Sequence, residues 1–233
     1  MTSPVQLART AGITYLLMAI LGGYAQLGVR ASIHVPGDAA TSAQNLVADP
    51  TLFRLALVGD IAMATAFVVV GVLLFLLLRH VDRRAAGAML VFVAVGAGMI
   101  LTNLLLHQAA LLIATDATYE TLHSDELVLL LLELHQDGYT LAGIFFGLWL
   151  LPLSFLIYRS GLFPRPLAVL LAIAGCSWVV DTLATFLWPE LPTVVHAIVT
   201  APTIAEFWLI AYLLFRGVRP TADHDLAPST DRS

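Results

Sequence analysis

The 233-residue chain has no lysine and a single cysteine, Cys176, and only 12% of its residues are charged. One cysteine excludes an internal disulfide and any metal motif built on cysteine. The eleven basic residues are all arginines, and they are scattered, so no basic run marks a nucleic-acid-binding face. Local metal patterns of the HxxxH or HExxH kind are missing. No internal repeat points to a transporter assembled from duplicated halves. What is abundant is apolar surface, at 59% hydrophobic residues against roughly 45–50% in soluble domains. A soluble protein of this length could not bury so much. The chain is therefore all-α and membrane-embedded.

The apolar residues fall in blocks of about 20 or more, enough to cross a hydrocarbon core of about 30 Å at about 1.5 Å per residue. Backbone groups in lipid must be satisfied within their own segment, so each block is a helix. Six spans are expected, at about Ala11–Val29, Phe53–Leu78, Ala85–Ile113, Glu126–Tyr158, Leu167–Trp188 and Val194–Phe215. The first is too long for a signal-peptide core, which runs to roughly 15 residues. Residues 1–219 form one transmembrane domain, and the polar tail 220–233, which lacks aromatics, is expected to be disordered.

Arginine placement orients the bundle. Arg9, Arg79, Arg83, Arg84, Arg159, Arg165, Arg216 and Arg219 fall on one side, whereas the other has only Arg30 and Arg54 among its acidic loops. By the positive-inside rule both termini are cytoplasmic. In the first outer loop, Asp38 reads as an N-cap of a short helix from Ala39 to Val47, which Asp49 and Pro50 would stop. Gly143 and Gly147 form a GxxxG match, read either as close packing within the chain or as a dimer face. Pro152 and Pro202 should kink spans four and six.

Ionisable residues inside spans are costly and usually face the bundle interior. Asp60, His107 and Asp181 each lie about 10 Å below the outer ends of their spans on a rise of about 1.5 Å per residue. Asn103 is one turn before His107, His135, Asp137 and Tyr139 stand near the outer end of span four, His196 stands at that of span six, and Glu206 is nearer the midplane. Each also has a plain structural reading. Asp60 would pair with Arg30 or Arg54, and His107 with Asn103 would make an interhelical hydrogen bond. Asp181 and Glu206 have no basic neighbour in sequence.

Three functions fit such an outer-half polar pocket. The first is a binder or enzyme for a hydrophobic isoprenoid or lipid molecule, acting by carboxylic-acid chemistry in the manner of a terpene cyclase. Asp60, Asp181, Glu206 and His107 would be the catalytic groups, Asn103, Tyr139, Trp178 and Trp208 the binding residues, and no cofactor would be needed. The second is a metal-dependent lipid hydrolase with zinc held by His107, His135, His196 and Asp181. The third is a non-catalytic protein that binds lipid or a partner. In all three the bilayer is the surrounding medium.

The stretches Arg9-Thr-Ala-Gly-Ile-Thr-Tyr15, Val35-Pro-Gly-Asp-Ala-Ala40 and Phe53-Arg-Leu-Ala-Leu-Val-Gly-Asp60 carry a family resemblance. So do His135-Gln-Asp-Gly-Tyr139, Phe145-Phe-Gly-Leu148 and Leu156-Ile-Tyr-Arg-Ser-Gly161. Together they resemble the bacterial six-helix membrane proteins catalogued as domain of unknown function forty-three eighty-six, along the chain to about Val218. The resemblance implies the helical membrane fold and a bacterial plasma membrane, and it brings no activity.

Overall fold

The computed structural model describes residues 3–188 and 190–219, so the tail expected to be disordered lies outside the described residues. Every regular element among the described residues is helical. Among the described residues, six helices are long and apolar enough to cross a membrane: α1 (Pro4–Ile33), α3 (Pro50–Leu78), α4 (Arg83–Thr115), α5 (Asp125–Ser160), α6 (Arg165–Leu187) and α7 (Thr193–Phe215). The short α2 (Ala39–Ala48) lies between the first two. The protein is a multi-pass membrane protein. An even number of spans returns the chain to its starting side; that end is called proximal below, and the opposite end distal.

Local chemistry sets the helix ends. The Ser3 hydroxyl accepts from the Gln6 N–H at 3.2 Å while the Gln6 side chain accepts from the Ser3 N–H at 3.1 Å, a reciprocal cap that starts α1 well before its apolar block. Asp38 caps α2 as its sequence suggests. Asp49 and Pro50 do more than stop α2. Asp49 accepts from the Leu52 N–H at 2.9 Å and Pro50 occupies the first turn, so α3 begins there. Gly161, at φ 69°, closes α5 in the left-handed conformation that glycine adopts without penalty.

Both prolines interrupt their helices. Pro152 has no N–H to offer the carbonyl one turn back, and α5 breaks at Trp149, between Asp125–Leu148 and Leu150–Ser160. Around Pro202, α7 tightens into a 3-10 turn, Ala201–Thr203. A third irregularity has no proline. From Tyr24 to Arg30, α1 winds as a π-helix, the helix continues to Ile33, and Arg30 is buried in the bundle. The limit expected at Val29 was too short because a charged residue reads as an end, whereas Arg30 is buried and paired.

Trp149 is fully buried at the centre, with Tyr15 and Phe67 ring centroids 5.7 and 5.3 Å away. The glycine pair works within the chain. A Cβ on Gly147 would sit 2.5 Å from the Gly175 carbonyl oxygen, and one on Gly143 would sit 3.0 Å from Thr182 Oγ1, so α5 and α6 approach to backbone contact. Near the proximal end Gly12 lets α1 meet α7, where an added Cβ would lie 2.9 Å from Leu213 Cβ. Distally the two helices part. The segment Thr193–Thr200 has no buried residue and packs on α6 and its own 3-10 turn, without reaching α1.

Candidate functional site

The polar residues of the spans resolve into three places rather than one. The distal group joins α1, α3, α4 and α5. Arg30 and Asp60 form a buried ion pair, and Arg30 also donates to Gln26 Oε1 at 2.6 Å. Gln26 in turn donates to Gln136 Oε1 at 3.1 Å. His107 is stacked on Phe53, ring centroids 3.6 Å apart, and its Nε2–H donates to the Phe53 carbonyl at 3.0 Å. His135 lies edge-on to His107, centroids 5.3 Å apart, and donates from Nδ1 to the Asn103 carbonyl at 3.1 Å. The Asn103 amide answers with a 2.7 Å bond to the His135 carbonyl. Asn103 therefore clamps α4 to α5. The other ring nitrogens, His107 Nδ1 and His135 Nε2, are buried without a partner among the described residues.

The second place is on α6 and α7, where Asp181 accepts from His196 at 2.7 Å. This contact ties the otherwise peripheral Thr193–Thr200 segment to α6. The four residues suggested for zinc are thus divided, His107 with His135 and His196 with Asp181. Among the described residues no three His, Cys, Asp or Glu side chains group in a way that could hold a metal ion. Similar depth did not mean convergence.

The third place is a cavity of about 230 Å³ near mid-depth, partly open on the flank where α1 and α7 diverge. Helix α1 supplies Tyr15, Met18 and the open edge at Gly22 and Gly23; α5 supplies Tyr139, Phe146 and Trp149. Met63 of α3, Trp178 of α6, and Thr203, Glu206, Phe207 and Ile210 of α7 complete the wall. Glu206 is its only carboxyl. Tyr15 donates its hydroxyl to Oε2, and the Trp178 indole donates to Oε1 at 3.2 Å. No arginine or histidine nitrogen lies within ion-pair distance of Glu206 among the described residues.

Of the residues put forward for binding or catalysis, Glu206, Tyr139 and Trp178 come together in this wall. Asp60, His107, Asn103 and Asp181 do not line it. Trp208 points elsewhere and is partly exposed, while Phe207 and Ile210, on either side of it, face the cavity. Tyr15 escaped the sequence reading. A hydroxyl inside an apolar helix demands an acceptor, but nothing local names one 191 positions away.

Neither a curated protein nor a solved structure matches the chain. The model of the family described as Domain of unknown function (DUF4386) matches residues 10–217, nearly the whole six-helix bundle, and the chain belongs to that family.

Proposed function

We propose that the protein binds a hydrophobic small molecule of the isoprenoid or lipid class within the bilayer, with Glu206 as its working group. The observation that supports this reading is a carboxyl without a basic partner in the wall of an apolar cavity that opens on the bundle's flank. Ionisable groups at such depth are expensive and tend to serve ligands or protons. A flank opening admits molecules already dissolved in lipid.

In the enzymatic form of this reading, Glu206 gives a proton to one carbon of an alkene. The π bond breaks, a C–H bond forms, and the neighbouring carbon becomes a cation that aromatic rings stabilise. Attack by a second alkene and loss of a proton to the carboxylate would complete an isomerisation without a cofactor. The arginine distribution supports a cytoplasmic proximal end.

Geraniol, a short isoprenoid alcohol, tests the reading. Trp149 and Trp178 line the cavity, so binding in bilayer nanodiscs should change tryptophan fluorescence. Gly23→Leu should abolish the change without unfolding, because a Cβ at Gly23 meets nothing within 4 Å and the added side chain fills the opening. An identical response in wild type and Gly23→Leu would remove the cavity from consideration. For turnover of any isoprenoid substrate, Glu206→Gln should bind and not react.

A further inference from the structure

Arg30 answers Asp60, and His196 answers Asp181. The two contacts of Glu206 in the cavity wall, the Tyr15 hydroxyl and the Trp178 indole, are neutral donors. Both of its oxygens accept, and the ionised form, which has acceptors only, is the one that a bound cation would select. A carboxylate at this depth lacks one thing, a positive charge. The cavity beside it is lined by six aromatic side chains, Tyr15, Tyr139, Phe146, Trp149, Trp178 and Phe207, and by no basic residue.

Aromatic rings around a carboxylate form a known recognition chemistry for organic cations, because ring faces are electron-rich and need no water to hold a positive charge. An alkylammonium group is also more weakly hydrated than a metal ion, so it enters an apolar space more easily. We infer that the cavity takes a lipid-soluble organic ammonium ion, whose cationic head sits against Glu206 and the aromatic wall and whose apolar part extends through the opening between α1 and α7. This rests on the cavity being the functional site and names the ligand class for it. The clamp from Tyr15 and Trp178 keeps the carboxyl group in place when the site is empty. Size agrees with the assignment: about 230 Å³ admits a compact head group with a ring or short chain, and not a whole phospholipid.

The decisive experiment compares two probes that differ only in charge, benzyltrimethylammonium and its uncharged carbon analogue neopentylbenzene. Binding is read from tryptophan fluorescence in nanodiscs, with each affinity expressed per mole of lipid. The expected result is at least ten-fold tighter binding of the cation by the wild-type protein. Glu206→Gln should erase that preference, and Gly23→Leu should exclude both. Equal affinities for the two probes in the wild-type protein would overturn the inference and leave the hydrophobic cavity standing. Failure of both probes and of geraniol to bind would overturn the cavity reading together with the inference. The wild-type comparison needs no variant, so the test holds even if Glu206→Gln does not fold.

Discussion

Arg30 and Asp60 join the π-helical turn of α1 to the distal half of α3 by a buried ion pair. The pair is imperfectly satisfied, because Arg30 Nε and Asp60 Oδ1 have no partner among the described residues. Taking one member away should therefore be worse than taking both. Asp60→Leu alone leaves an unmatched buried guanidinium and should cost about 3–5 kcal/mol. Arg30→Met combined with Asp60→Leu should recover most of that loss. Thermal unfolding of the three proteins in one mild detergent measures it, and a double variant no better than the single would show that the pair itself is not what holds α1 to α3.

The α5–α6 seam makes a second prediction. Gly147→Ala places a methyl 2.5 Å from the Gly175 carbonyl oxygen and 2.9 Å from Trp178 Cβ. The helices must separate, at about 1–3 kcal/mol, as for other overpacked cores. Gly98→Ala on α4 meets nothing within 4 Å and should be neutral or stabilising by up to about 1 kcal/mol through helix propensity. The same melting experiment compares them. Because Trp178 stands in this seam and also holds Glu206, Gly147→Ala should weaken ligand binding as well, whereas Gly98→Ala should not.

Outside the spans, acid should loosen helix starts. The Ala85 N–H bonds to the Asp82 carboxylate at the start of α4 and, aided by the Arg84 N–H and nearby arginines, holds it below the usual aspartate range. The Thr41 N–H does the same for Asp38, and the Thr118 N–H for Asp116. A carboxylate whose value is depressed by folding contributes stability above its unfolded value, and that contribution disappears as pH falls through the folded one. Asp82→Ala should thus melt below wild type at neutral pH, with the gap closing below about pH 4. Asp82→Asn keeps a capping oxygen and should narrow the gap at neutral pH. A gap independent of pH would mean that the cap acts through something other than its charge.

What the sequence made visible was depth. Apolar blocks give the spans because lipid leaves the backbone no alternative to a helix. Five of the six observed spans therefore begin and end within a few residues of the expected limits, and Asp38, Pro152 and Pro202 act where they stand. Direction around the bundle axis was not visible. Asp60, His107 and Asp181 share a level, yet Asp181 faces His196 on the far flank and Asp60 faces Arg30. Sorting residues by side requires knowing which helices are neighbours, and the α1–α7 contact that closes the bundle joins the two ends of the chain. Tyr15 and Glu206 meet only through that closure. The π-helical turn was hidden for another reason, since nothing in the composition of Tyr24–Arg30 distinguishes a π-turn from an α-turn.

The parting of α1 from α7 changes what an affinity means for this protein. A compound arriving sideways is presented at its concentration in the hydrocarbon, which partitioning sets. Each added methylene raises that concentration about four-fold, from roughly 0.8 kcal/mol of transfer. Along a homologous series, apparent dissociation constants in aqueous units should fall by that factor at every step. Once referred to lipid they should stay level, with the bilayer rather than the protein supplying the gain.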